Sequence, residues 1–166
     1  MYDAPLHSAA TATRARRAAI FHDCHPGEDS FREALVAGLS QPDKSIPCRF
    51  LYDARGSALF DAICELPEYY PTRTELGILE DNAAAIAAAI GSDAQLVELG
   101  SGSSRKVRIL LDALERPASY VPIDISREHL LGAAHAIAGD YPEVLVEAVC
   151  ADYGQAFDLP HNLYGG

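Results

Sequence analysis

The fold is decided by residues 95–104, which read QLVELGSGSS. The first five residues, Gln95–Leu99, are mostly apolar and predict a short buried strand, which glycines at 100 and 102 then end. A helix is predicted next, because apolar residues recur at helical spacing from Val107 onward. Glycine lets a backbone approach a ligand closely, and a helix start offers unpaired N–H groups. The unit is therefore typical of a nucleotide-type site, with a plain structural turn as the alternative.

Two further strands follow the glycine turn, separated by a helix. The second strand is predicted over residues 120–125 and the third over residues 143–150. Between them a helix is predicted to begin after Ser126, which would cap it, and to run to about residue 138. Strands that alternate with helices through short loops predict parallel pairing. We therefore expect an α/β, Rossmann-like fold that is incomplete and contains the first three parallel strands.

Carboxylates stand at the ends of the second and third strands. Asp124 lies about twenty residues past the glycine turn, where an acid commonly accepts hydrogen bonds from ribose hydroxyls. Asp152 ends the third strand, so both acids are expected at the same sheet edge as the glycines. An adenosine-containing ligand is predicted, with a cap or turn role as the alternative for each acid. Ser104 and Arg105 stand where a third glycine would complete a dinucleotide fingerprint, which argues against NAD.

The residues before the glycine turn predict helices around an aromatic-rich loop. One helix is predicted from Phe31, one over residues 57–65, and one from Thr72, whose side chain would form a capping box with Glu75. Three segments are expected, namely a flexible N-terminus, a helical region that contributes to the substrate site, and the first half of a Rossmann-like domain: residues 1–28, 29–90 and 91–166.

Composition argues against several classes of function. The net charge of -11 disfavours nucleic acid and anionic membranes as partners, and no apolar run approaches the roughly 18 residues of a membrane span. Four widely spaced cysteines without a Cys-x-x-Cys pair predict free thiols in a cytoplasmic protein, without a zinc site or a disulfide. The run HDCH at residues 22–25 is interpreted as a surface turn and not as a metal site. His129 and His135 are expected to face solvent.

Several motifs together resemble one enzyme family. The most specific is the Tyr-Tyr-Pro-Thr-Arg block at residues 69–73, whereas the glycine turn alone is not specific. Over residues 30–153 the chain resembles the histidine-specific methyltransferases of ergothioneine biosynthesis, which use S-adenosylmethionine (SAM). The other motifs that carry the resemblance are KSIP, FLYD, GSALFD, PIDI and VCADY, at residues 44–47, 50–53, 56–61, 122–125 and 149–153.

The resemblance implies a class I SAM-dependent methyltransferase fold and a reaction. Methyl groups would pass from SAM to the α-amino nitrogen of L-histidine, giving hercynine. The SAM-binding residues it implies are Gly100, Lys106, Asp124, Asp152 and Tyr153. The histidine-binding residues it implies are Tyr52 and Tyr69, although a tyrosine in a proline-rich loop is otherwise commonly a packing residue. No catalytic base or metal ligand is assigned in this chain.

The chain departs from that family in length. Family members are longer, and their second half supplies further strands and further substrate-binding residues. We therefore expect this chain alone to bind SAM weakly and to methylate histidine poorly or not at all. Two alternatives stay open at this point: a SAM-dependent enzyme with another small amine as acceptor, and a non-catalytic chain that needs a complementary C-terminal half. An NAD-dependent dehydrogenase is the least favoured interpretation.

Overall fold

The described residues form a sheet of four parallel strands. The structure, a computed structural model, describes residues 18–24, 31–154 and 156–160. The strands are β1 Ile20–Asp23, β2 Gln95–Leu99, β3 Ser119–Asp124 and β4 Leu145–Cys150. The helices are α1 Phe31–Ser40, α2 Ala54–Cys64, α3 Pro71–Ile90, α4 Arg105–Ala113 and α5 Arg127–Asp140, with a short 3-10 helix at Cys48–Leu51. The predicted α/β class with parallel pairing is confirmed.

The three predicted strands pair as the alternation of strands and helices requires. In the order β1-β4-β3-β2, Gln95 lies opposite Ser119, and Ser119 lies opposite Leu145. The strand ends are therefore aligned, and the turns that follow β2, β3 and β4 lie at one carboxyl edge. Among the described strands, β2 pairs only with β3, and it exposes 61% of Leu99.

Strand β1 adds a fourth strand to the three that were predicted, and it lies within residues 1–28, the segment expected to be flexible. Residues Ile20–Asp23 pair in parallel with β4, and the Arg127 guanidinium lies over the Phe21 ring and 3.2 Å from Asp23 Oδ2. A strand of four residues is too short to show the alternation that predicts a strand. This strand forms by pairing with a segment that is distant in the chain. The other residues of that segment, 1–17 and 25–28, lie outside the described residues, and so does His25 of the HDCH run.

The N-terminal helices confirm the helical region but not the predicted capping box. Helix α3 begins at Pro71 after Tyr70, and no side chain caps it. Proline suits this first position because it has no N–H to leave unpaired. The Arg73 guanidinium instead donates to the backbone oxygens of Leu66 and Pro67, at 2.8 and 2.5 Å, and so fixes the loop before the helix. Among the described helices, none combines the length and the apolar composition that a membrane span requires.

The main core lies between helix α5 and the sheet. Its fully buried members come from α5 and from the two inner strands, and they include Leu130, Ile137, Tyr120, Val146 and Ala148. This packing fixes the inner strands of the sheet, and the acids after those strands lie at their carboxyl ends.

Replacing Leu130 with alanine is expected to lower the free energy of unfolding by about 2–5 kcal/mol, because a fully buried leucine leaves a cavity. Urea denaturation of the purified chain measures this change. The matched control is Leu39→Ala on helix α1, where the side chain is exposed and the loss should stay below about 1 kcal/mol. Equal losses in the two variants would contradict this placement of the core.

Candidate functional site

The carboxyl edge of the sheet faces helices α2 and α3 across a cleft. The cleft contains two adjoining cavities of about 510 Å³ and 240 Å³. Both are lined by Phe60 and Asp61 of α2 and by Gly100 and Gly102 of the glycine turn. The larger cavity lies within the range of roughly 300–1,000 Å³ that is usual for small-molecule sites. The turn thus forms the shared wall of a site large enough for a cofactor-sized ligand.

The glycine turn has a left-handed backbone conformation, which glycine adopts readily and most other residues avoid. Gly100, Gly102 and Ser104 all lie in the left-handed region, with φ of 66°, 49° and 55°. The N–H of Gly100 donates to the Ile123 carbonyl oxygen at 2.8 Å, which ties the turn to the end of β3. Ser104, which stands where a third glycine was sought, therefore takes the conformation that a glycine would adopt there.

Asp124 connects the glycine turn to the start of helix α5. Its Oδ2 accepts from the Gly102 N–H at 3.1 Å, and its Oδ1 accepts from the Ser126 N–H at 2.9 Å. The Ser126 side chain does not cap the helix as predicted; its hydroxyl lies 3.0 Å from the Ser57 hydroxyl of α2. The acid lines the smaller cavity, and each carboxylate oxygen keeps acceptor capacity for a ligand hydroxyl.

The larger cavity has paired charges along one wall. Lys106 Nζ lies 3.1 Å from Glu75 Oε1, and Arg105 Nη1 lies 2.6 Å from Glu65 Oε1. These pairs join α4 to α3 and to Glu65, the residue that directly follows α2. Tyr69 lines the same cavity, half-buried, with its ring edge-on to Phe60 at 6.0 Å between centroids.

The smaller cavity contains the other two predicted aromatic residues. Tyr52 and Tyr153 line it together with His129. His129 Nε2 lies 4.0 Å from Asp61 Oδ2, so His129 faces the cleft and the prediction that it faces solvent is wrong. Packing of α2 against α5 decides which face of the helix is covered, and that packing is not visible in the local pattern. His135 is exposed, as predicted.

Six of the seven predicted binding residues line the two cavities, and Asp152 does not. Its Oδ1 accepts from the Gly154 N–H at 2.9 Å, so the acid closes a turn beside Tyr153. This is the turn role that sequence reasoning left open for Asp152.

Sequence reasoning missed two features of the site. Ser101 is buried and lines the larger cavity, and among the described residues its hydroxyl has no hydrogen-bond partner. Beneath the turn, the Tyr120 hydroxyl donates to Glu98 Oε2 at 2.6 Å. Burial raises the pKa of Glu98, although the hydrogen bond from Tyr120 opposes that rise. Burial and the nearby Glu98 carboxylate raise the pKa of Tyr120 well above its ordinary value, so its phenol stays protonated.

These features define a class of protein. A left-handed glycine turn after one strand, an acid after the next strand and a cavity at the carboxyl edge of a parallel sheet are typical of Rossmann-like proteins that bind a small molecule at this edge.

Comparison with known proteins then gives the family. The profile described as "Histidine-specific methyltransferase, SAM-dependent" matches residues 31–164, and the chain belongs to this family. The resemblance stated from the motifs is thereby confirmed. The class I fold expected from it agrees with the parallel sheet observed.

Individual relatives carry related names. The chain is 46% identical over 137 residues to histidine N-alpha-methyltransferase of Mycolicibacterium smegmatis, an alignment that covers 80% of this chain and 42% of the relative. It is 43% identical over 90 residues to ergothioneine biosynthesis protein 1 of Neurospora crassa, covering 52% and 10%. It is 32% identical over 116 residues to 4-dimethylallyltryptophan N-methyltransferase of Aspergillus fumigatus, covering 68% and 34%. The chain thus spans about two fifths of the length of the first of these relatives.

Proposed function

We propose that this chain binds SAM and forms part of an enzyme that methylates the α-amino nitrogen of L-histidine, giving hercynine in ergothioneine biosynthesis. The observation that carries the proposal is the convergence of the glycine turn and Asp124 on one cavity, in a chain of the histidine-specific family. Family membership supports the choice of SAM over other adenosine ligands.

The residues of the cleft fit SAM. Gly100 and Gly102 have no side chains, so the backbone of the turn is open to a ligand, and the Ser101 hydroxyl, which has no partner in the described part of the chain, offers a further polar contact. SAM has no pyrophosphate, so a complete glycine triplet is not required. Its sulfonium is positive, which suits a cleft with acids such as Asp61 and Asp124 in its walls. The proposed SAM-binding residues are Gly100, Lys106, Asp124, Asp152 and Tyr153, of which Asp152 does not line either cavity.

The histidine substrate is proposed to lie against Tyr52 and Tyr69, which line the two parts of the cleft. When bound, SAM supplies a methyl group that is already activated by its sulfonium. The task of the protein is then to align the amine with that methyl group and to exclude water. The α-amine must be neutral to react, and a tyrosine hydroxyl can hold it through a hydrogen bond. We assign no general base to this chain.

We further propose that a polypeptide equivalent to the remaining part of the relatives completes the site. Strand β2 lies at an edge of the described sheet and exposes Val97 and Leu99 there. Such an edge is suited to pairing with a further parallel strand. The cytoplasm is the proposed compartment, because all four cysteines are free thiols.

A second candidate acceptor is a small amine other than histidine. It is favoured by the relative named for methylation of 4-dimethylallyltryptophan, which matches 68% of this chain. The same cleft and the same cofactor would serve both acceptors, so the acceptor has to be determined by its chemistry.

The test is methyl transfer. The chain is mixed with SAM and L-histidine, alone and together with a separately expressed carboxyl-terminal part of the Mycolicibacterium relative, and products are identified by mass spectrometry. Trimethylated histidine is expected in the mixture of the two polypeptides and little or none with the chain alone. Tryptophan derivatives serve as competing acceptors. Methylation of those alone would favour the second candidate, and no methylation of any amine would overturn the proposal.

Cysteine labelling gives a second expected result. Cys64 lines the larger cavity and Cys48 is exposed away from it, whereas burial raises the pKa of the Cys150 thiol to about 11. N-ethylmaleimide should label Cys48 fastest and Cys150 slowest, because the thiolate is the reactive form. Saturating SAM should slow labelling of Cys64 and leave the rate at Cys48 unchanged. Equal effects on Cys48 and Cys64 would contradict binding in this cleft.

A further inference from the structure

Ser104 has an unusual conformation for its residue type. Its φ of 55° places a non-glycine residue in the left-handed region directly before helix α4. Such a residue persists only where its surroundings hold it in place. Only 2% of Ser104 is exposed, so those surroundings are protein and not water.

Tyr120 of strand β3 contacts the Ser104 side chain, and the Ser104 N–H donates to the Ser101 carbonyl oxygen at 3.0 Å. This tyrosine is 0% exposed, and its hydroxyl donates to Glu98 Oε2 at 2.6 Å. A phenol hydroxyl has one proton to donate, and Tyr120 donates it in the hydrogen bond to the Glu98 carboxylate. The Ser104 hydroxyl, 3.4 Å from the Tyr120 oxygen, is therefore the donor in the second and longer hydrogen bond.

The two hydrogen bonds join both ends of the glycine turn to one buried group. Glu98 stands two residues before Gly100, and Ser104 stands two residues after Gly102. We propose that Tyr120 is a positioning residue for cofactor binding, which fixes the glycine turn from beneath by holding Ser104 in the conformation of a third glycine. The effect on the cofactor rests on the proposed function; the effect on the turn does not.

The aromatic ring and the hydroxyl of Tyr120 have separable roles. The ring packs in the main core, so phenylalanine keeps the packing and removes only the hydrogen bonds. A matched control exists in Tyr141, whose hydroxyl lies 2.7 Å from Asp112 Oδ1. Neither Tyr141 nor Asp112 lines the two cavities of the cleft. Tyr141→Phe therefore removes a comparable hydrogen bond to a carboxylate without touching the turn.

The experiment combines hydrogen exchange without ligand and SAM titration on the full chain. In Tyr120→Phe we expect exchange of the amides of residues 100–106 to rise about tenfold and the Kd for SAM to rise about tenfold, which is the effect expected from losing the hydrogen bond that Ser104 donates. Tyr141→Phe should change neither value. Ser104→Gly adopts the left-handed conformation readily, so combining it with Tyr120→Phe should restore both values to within about threefold of the parent.

Each outcome bears on the proposal. Unchanged exchange of the turn in Tyr120→Phe, or no rescue by Ser104→Gly, would overturn it, because a merely structural role of Tyr120 would not respond to glycine at 104. If Tyr120→Phe does not fold, Ser104→Ala and Ser104→Gly replace it; only the alanine variant should loosen the turn, and equal behaviour of the two would overturn the proposal. If exchange responds as expected but the parent chain does not bind SAM even with a complementary polypeptide, the positioning role stands and the proposed function fails.

Discussion

Replacing Gly100 with valine is expected to abolish measurable SAM binding. Gly100 has a φ of 66°, a conformation that costs an L-residue about 1–2 kcal/mol and a β-branched residue more. A Cβ at this position would also lie 3.4 Å from Tyr153 Oη, in the wall shared by the two cavities. Strain and lost approach of the backbone together should raise the Kd at least about 100-fold, as measured by calorimetry.

Gly91 provides the control for strain. It also has a positive φ, 84°, but no atom of the described residues lies within 4 Å of the position a Cβ would take there, and it does not line either cavity of the cleft. Gly91→Val should lower the free energy of unfolding through backbone strain while leaving the Kd for SAM unchanged. If Gly91→Val weakened SAM binding as strongly as Gly100→Val, the loss would reflect general destabilisation and the placement of the cofactor against the turn would be wrong.

Replacing Asp124 with alanine is also expected to weaken SAM binding strongly. The carboxylate holds the Gly102 and Ser126 amides and is the proposed acceptor for the ribose hydroxyls. A hydrogen bond to a charged group contributes about 1.5–3 kcal/mol, so the loss of the ribose contacts should raise the Kd about 100-fold. Asp124→Asn keeps one acceptor oxygen and should lose less. Calorimetric titration with SAM measures both variants.

Asp112→Ala is the matched control for charge and size. Asp112 accepts a hydrogen bond from Tyr141 and does not line the cleft, so its removal should leave the Kd for SAM within about twofold of the parent value. Urea denaturation of all three variants separates folding from binding. An Asp124→Ala chain that kept its stability and bound SAM as tightly as the parent would show that the carboxylate does not contact the cofactor.

The parts of the fold that could be predicted are those that a short run of consecutive residues indicates. Gln95–Leu99 is an apolar run broken by glycine, and such a run predicts a strand and a turn without knowledge of the rest of the chain. The position of Asp124 beside the glycine turn could also be predicted, because parallel strands align their carboxyl ends at one edge of the sheet. Hence six of the seven binding residues predicted from motifs line one cleft.

The features that could not be predicted depend on contacts between distant segments. Strand β1 exists because residues 20–23 pair with β4, more than a hundred residues away in the chain. His129 faces the cleft because α2 packs against α5. The start of α3 was misplaced because a proline at the first position and tethers from Arg73 replace the predicted side-chain cap. Ser104 has a left-handed conformation and a hydrogen bond to a tyrosine sixteen residues away, which no local pattern indicates.

In the proposed function the glycine turn and Asp124 hold SAM at the carboxyl edge of the sheet. Isothermal titration of this chain with SAM, alone and with the carboxyl-terminal part of the Mycolicibacterium relative, is the decisive experiment. We expect saturable SAM binding that is tighter in the mixture, is lost in Gly100→Val and is not reproduced with NAD. No heat of binding for SAM in either preparation, or equal binding by the parent and Gly100→Val, would contradict the claim.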